Sequence, residues 1–201
     1  MKMWICAGNG EDFSFAKSIG VGLVDSALNL CSLCLREKID ELIFLGSAGA
    51  YSKDVALLDL FVADSATQIE LSFLQQYSYT PIDNKIDSNI FDERNKVSRI
   101  SNVSYETLGF KKSIVNSSNY ISVDKHLASQ FYTAGIGLEN MEFFAVMRVA
   151  QHFCIPCFGV FCVSNYCDEN AHKDFIHHHQ DVKEKLTQAA KDAENFYHKQ
   201  I

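Results

Sequence analysis

Asn140-Met141-Glu142 opens an apolar stretch with helical spacing, and Val163-Ser164-Asn165 closes the long apolar run, 155–163, that follows it. A Met-Glu pair at the start of a helix and a Ser-Asn pair leaving the next buried strand bring a carboxylate and an amide to one edge of a sheet, because in open α/β sheets ligands sit at the carboxyl ends of the strands. The carboxylate only accepts and can take two hydroxyl donors at once, whereas the amide both donates and accepts. Such an edge can hold a ribose on one side and a heterocyclic base on the other. A nucleoside pocket is therefore the leading reading.

Working outward, Val24, Ala27, Leu28, Cys31 and Leu35 recur at three- and four-residue spacing and predict an amphipathic helix over about 23–38. Residues 42–45 read as a short apolar strand that ends in a tight loop, Gly46-Ser47-Ala48-Gly49. Towards the amino terminus, Trp4 and Cys6 alternate with their neighbours, Asn9-Gly10 supplies a turn, and Phe13 and Phe15 alternate again, so 3–18 reads as a hairpin. Further strands are expected near 57–62, 113–116 and 135–138, with helices near 124–132, 142–152 and 180–198. The stretch 65–110, rich in Ser, Asn and Asp, reads as loops with one helix.

Strands apolar on both faces, alternating with helices, predict an α/β fold with a central, mostly parallel sheet covered on both sides. The 201 residues, with no repeat and no low-complexity linker, fit a single domain over 1–201. A net charge of −7 and the lack of a Lys/Arg cluster argue against nucleic-acid or anionic-membrane partners, since counterion release needs a basic face. No apolar run reaches the roughly 18 residues of a membrane span, and Met1-Lys2-Met3-Trp4 leads into a strand, so a cytoplasmic protein is expected. Seven cysteines, mostly in apolar segments, read as reduced core thiols.

Gly20-Val21-Gly22, Gly46-Ser47-Ala48-Gly49, the Asn140-Met141-Glu142 helix start and Val163-Ser164-Asn165 occur in the order and approximate spacing of one family. From about residue 4 onward the chain resembles the nucleoside phosphorylase and methylthioadenosine nucleosidase superfamily. The resemblance implies a three-layer phosphorylase-type fold with a mixed central sheet, an assembly of dimers or hexamers, and cleavage of purine nucleosides by phosphate or water. It implies no cofactor beyond inorganic phosphate as a candidate co-substrate, and no metal.

By the same resemblance, Glu142 would bind the ribose 2′- and 3′-hydroxyls and Met141 would pack on the sugar face. Tyr120 would stack on the purine. Gly46 and Ser47 would lie near the attacking phosphate or water, with backbone N–H groups as anion donors. Ser164 and Asn165 would meet the base. Apart from the resemblance, Asp168 in the same loop is a candidate substitute proton donor.

Each of these residues also has a plain structural reading. Glu142 suits a helix dipole, Tyr120 a core, Ser164-Asn165 a strand-end turn, and Asp168 a solvated loop.

Three departures from the family pattern stand out. The chain is expected to start after the family's first strand and helix, and so to lack their loop, which carries a carboxylate or glycine. Phe44 stands where phosphorylases carry an arginine three residues before the serine, and Arg94, Arg99 and Arg148 of a neighbouring subunit are the candidate substitutes. Asn165 stands where most members have an aspartic acid that protonates purine N7. An amide has no titratable proton to give. This points either to 6-oxopurine nucleosides or to a binding protein that has lost turnover. Two further patterns, Cys31-Ser-Leu-Cys34 with Cys154-Ile-Pro-Cys157 and His177-His178-His179, have metal-like spacing but read as core packing and as a solvated loop or helix start.

Overall fold

The computed structural model describes residues 1–88 and 109–198. In chain order its strands are β1 (Lys2–Cys6), β2 (Lys17–Ser18), β3 (Glu41–Ala50), β4 (Leu60–Ala63), β5 (Ser65–Thr67), β6 (Lys85–Asp87), β7 (Lys111–Lys112), β8 (Val115–Ser117), β9 (Leu138–Asn140) and β10 (Cys157–Tyr166). Its helices are α1 (Gly22–Arg36), a single turn α2 (Leu71–Leu74), α3 (Lys125–Thr133), α4 (Phe143–His152) and α5 (Ala171–His198).

Among these residues the strands form one mixed sheet in the order β6-β5-β8-β9-β3-β10-β4-β7, with β1 and β2 branching from β3. The centre, β1-β3-β10, is parallel, whereas β4 runs antiparallel to β10 and β9 antiparallel to β3. Alternate residues of the two long strands face opposite layers, as the period of two requires. Leu42, Phe44, Phe161 and Val163 join the cluster that includes α4, while Ile43, Leu45, Phe158 and Val160 join the one built on Val182, Leu186 and Ala189 of α5. Helices cover both faces, which is why both strands read as continuous apolar runs.

Four expectations need correction. Residues 3–18 are not a hairpin. Asn9-Gly10 does turn the chain (Glu11 N–H to the Gly8 carbonyl, 3.3 Å), but β1 pairs in parallel with β3 over five residues and with β2 over two. The alternation of Phe13 and Phe15 reflects aromatic packing, with ring centroids 5.7 Å apart and Phe15 edge-on to Trp4 at 6.0 Å, rather than a strand.

Gly46–Gly49 is not a tight loop but the last part of β3. The stretch 65–110 contributes β5, α2 and β6, and residues 89–108, with Arg94 and Arg99, lie outside those described. His177-His178-His179 lies inside α5, which begins earlier than the periodicity indicated.

The useful irregularity is in β3. On one edge it pairs with β1 as far as Leu45 and with β9 from Gly49 onward, so the intervening residues have no strand beside them on that edge. Buried backbone groups need partners wherever the ladder stops. The partners here are side chains, and a cavity opens at the gap.

Candidate functional site

The gap is closed by two side chains. The Ser47 N–H donates to Glu11 Oε2 at 3.1 Å, the Ser47 hydroxyl also bonds the Glu11 carboxylate, and Asn140 Nδ2 donates to the Ser47 carbonyl at 3.1 Å. Gly46 lies behind them. A Cβ there would meet the Phe44 ring at 2.7 Å and Asn140 Nδ2 at 3.3 Å, so glycine is needed for Asn140 to reach the strand. Ser47, Ala48 and Gly49 line a cavity of about 280 Å³, together with Glu11, Ile121, Asn140, Met141, Glu142, Ser164, Asn165 and His172.

Glu142 stands at the head of α4 without capping it. Asn140 Oδ1 accepts the Glu142 and Phe143 N–H groups at 2.9 and 3.0 Å, and the Ser117 hydroxyl accepts that of Phe144 at 2.9 Å. These take orphan donors of the first turn. The Glu142 carboxylate instead accepts the Gly22 N–H at 2.9 Å. It is 3% exposed, and burial pushes its pKa up to about 7, opposed by the Gly22 N–H and reinforced by the charge of Glu11. The helix-dipole reading leaves this contact across the cavity unexplained.

Ser164 and Asn165 line the same cavity although adjacent strand residues normally face apart. The pairing of β10 with β3 slips between Val163 and Asn165, a bulge that re-aims the side chains. The Ser164 hydroxyl donates to Asn165 Oδ1 at 2.7 Å, and Asn165 Nδ2 donates to the Tyr166 carbonyl at 3.1 Å. This fixes the amide and leaves it one free N–H and one lone pair of Oδ1.

Three expected residues do not line this cavity: Gly46, which lies behind Ser47, Tyr120 and Asp168. Tyr120 is 79% exposed, and Ile121 contributes to the lining instead. The segment is pinned on either side, by the Tyr120 N–H to Ser118 Oγ (3.1 Å) and the Ser122 N–H to Glu139 Oε1 (2.9 Å), which turns Ile121 inward and the tyrosine ring outward. Asp168 is buried at the start of α5, accepting the Asn170 N–H at 2.9 Å and pairing with Lys53 at 3.3 Å. It closes the turn that leads into the helix and is absent from the cavity lining. Arg148 lies in a groove between α1 and α4 and bonds Gln151 at 3.0 Å.

Glu11 is what the sequence reading missed. It is carried by the loop after β1, and its only local signal is an acidic pair after the Asn9-Gly10 turn. In the cysteine pairs, burial pushes Cys34 up to about 11 and raises Cys157 further, which keeps these two as thiols. Among the described residues no group of three or more His, Cys, Asp and Glu is arranged to hold a metal ion. No described helix is long and apolar enough to cross a membrane.

The family model described as Phosphorylase superfamily matches residues 12–200. Aminodeoxyfutalosine nucleosidases from Helicobacter pylori strains J99 and 26695 are 27% identical over 167 residues, spanning 77% of this chain and 68% of theirs. A mutant futalosine hydrolase of H. pylori strain 26695 superimposes with a TM-score of 0.77 at 18% identity, over 97% of this chain and 99% of that one. The H. pylori 5′-methylthioadenosine/S-adenosylhomocysteine nucleosidase with a bound pyrrolidine inhibitor gives 0.75 at 19%, over 97% and 98%. An aspartate-to-asparagine mutant of the latter, with 5′-methylthioadenosine in its active site, gives 0.75 at 18%, over 96% and 97%. At such identities the structural likeness establishes the fold alone.

Proposed function

The chain belongs to the phosphorylase superfamily, and from that membership we propose that its cavity binds a purine ribonucleoside and cleaves the N-glycosidic bond with water as the nucleophile. One observation carries the choice of water. The Ser47 N–H, the donor a phosphate would need, is occupied by the Glu11 carboxylate. A second anion beside it would be repelled, and no Lys or Arg is among the described residues lining the cavity.

In this reading Glu142 grips the ribose hydroxyls, Met141 covers the sugar, and Glu11 takes the proton of a water attacking the anomeric carbon. Asn165 donates its free amide N–H to the base. Ser164 orients that amide, and 6-oxopurines are preferred to 6-aminopurines because its free N–H finds an acceptor in O6, where a 6-amino group would present a donor. The nucleosidase relatives support hydrolysis.

A homo-oligomer, dimer or hexamer, is part of the proposal. Val24 and Leu28 of α1 are exposed, as is Tyr120 beside Asn119, which holds the Leu23 N–H at 2.9 Å, so apolar surface borders the mouth. Sedimentation of the purified chain as a monomer would remove that part.

A second reading, a binding protein without turnover, is favoured by Asn165 itself, which has no proton to give; the asparagine mutant of the H. pylori nucleosidase still has 5′-methylthioadenosine in its active site. One experiment separates the readings. Purified protein is incubated with inosine, guanosine, adenosine and methylthioadenosine, with and without phosphate, while base release and calorimetric binding are followed. Phosphate-independent release supports the enzyme, saturable binding without release supports the binding protein, and no affinity at all removes both.

A further inference from the structure

The cavity contains an electrostatic mismatch with an ordinary neutral nucleoside. Glu11, Glu139 and Glu142 line it at 8%, 6% and 3% exposure, and among the described lining residues only His172 could offset them, with no Lys or Arg. At the base end, Asn165 is locked by Ser164 and Tyr166, so it can donate a hydrogen bond to a leaving heterocycle but cannot surrender a proton. We propose that the substrates turned over at this site are N-ribosides whose heterocycle already bears a positive charge, an N7-alkylated purine or a pyridinium base, for which Asn165 is the specificity-determining residue. The inference rests on the hydrolase reading above and deepens it.

The chemistry balances without an acid. Water adds to the anomeric carbon as the bond to the ring nitrogen breaks, and the electron pair returns to the heterocycle and cancels its charge. The base departs neutral, and the water's proton passes to Glu11 and from there to solvent. A neutral purine would have to leave as an anion into a hollow walled by carboxylates, which is the worst case for charge development in a poorly solvated site. Before the reaction, a cationic base relieves the repulsion between the buried acids, so the same charge that eases departure also favours binding. General acid catalysis is worth about 10²–10⁴-fold, so the charged substrates should lead the neutral ones by a factor of that order.

The test compares base release from 7-methylguanosine in its cationic form, from nicotinamide riboside and from guanosine, each corrected for spontaneous hydrolysis, alongside calorimetric binding. The expected result is kcat/KM at least about 100-fold higher for one or both cationic ribosides than for guanosine. The two arms identify which heterocycle fits. Asn165→Asp is expected to raise guanosine cleavage and shrink the ratio at least about tenfold, since a titratable group is restored. Equal rates for guanosine and both cationic ribosides in the wild-type chain would overturn the proposal. Binding of nucleosides without release of any base would overturn it as well, while leaving the pocket assignment intact. Absence of binding by all three would remove the pocket assignment too.

Discussion

The Gly22 N–H and the Glu142 carboxylate meet at 2.9 Å, tying the first residue of α1 to the head of α4 across 120 residues of sequence. Gly22 sits at φ +83°, and a Cβ there would lie 2.8 Å from Asn119 Oδ1. The Gly20-Val21-Gly22 motif is thus a device for presenting an N–H to a buried acid. Gly22→Ala should lower stability by about 1–3 kcal/mol, the usual cost of a forced left-handed residue, and should weaken riboside affinity as Glu142 loses its anchor. Urea unfolding and calorimetry read the two effects, and an unchanged midpoint would show that the backbone accommodates the methyl group.

The elevated Glu142 sets a pH dependence of definite sign. Its folded pKa, about 7, lies above the ordinary carboxylate value because burial outweighs the Gly22 hydrogen bond. The stability it contributes is therefore full below the ordinary value and is lost as pH rises through about 7. Riboside affinity should run the opposite way. Only the ionised carboxylate accepts both hydroxyls, so binding should strengthen by up to about tenfold per pH unit below 7 and level off above it. Glu142→Gln should flatten both curves; a wild-type affinity that stays constant across this range would detach Glu142 from the sugar.

Glu11 and Glu142 face the same cavity but are assigned different work, and substitution can separate them. Glu11→Gln keeps the shape and the acceptor oxygen facing Ser47 but removes the base, so base release should fall by about 10²-fold or more while nucleoside Kd changes by only a few-fold. Glu142→Ala should do the reverse and abolish binding. A Glu11→Gln protein that turns over at the wild-type rate would return the nucleophile question to phosphate.

The contrast between these two acids also marks what the sequence could disclose. The placement of Glu142 on the cavity was legible because it sits between two strong local signals, a helix start and a long apolar strand, whose order and spacing carry the family pattern. Asn165 was legible for the same reason, although the bulge that lets it share a cavity with Ser164 was not. Glu11 was hidden because its significance is tertiary: only the break in the pairing of β3, filled by a side chain 36 residues away, gives it a role. Tyr120 failed in the opposite direction. Its position in the chain matched the family, but the hydrogen bonds of Ser118 and Ser122 turn its ring away from the cavity.

Behind the site, Phe44 of β3, Phe143 of α4 and Phe161 of β10 form a triangle of rings, with centroids 5.9, 5.7 and 5.1 Å apart. All three are fully buried, and Phe143 follows Glu142 directly, so this cluster fixes where α4 begins. Phe44, three residues before Ser47 on β3, puts an apolar ring where the family resemblance implies an arginine in phosphate-binding members, in keeping with the proposed use of water. Phe161→Ala should cost about 3–5 kcal/mol, the range for truncating a buried aromatic, and Phe161→Leu considerably less. If packing alone positions the acid, the alanine variant should also lose riboside affinity under conditions where it remains folded, while the leucine variant should retain it. Equal affinity in the two variants would mean that the Gly22 hydrogen bond alone holds Glu142 in place.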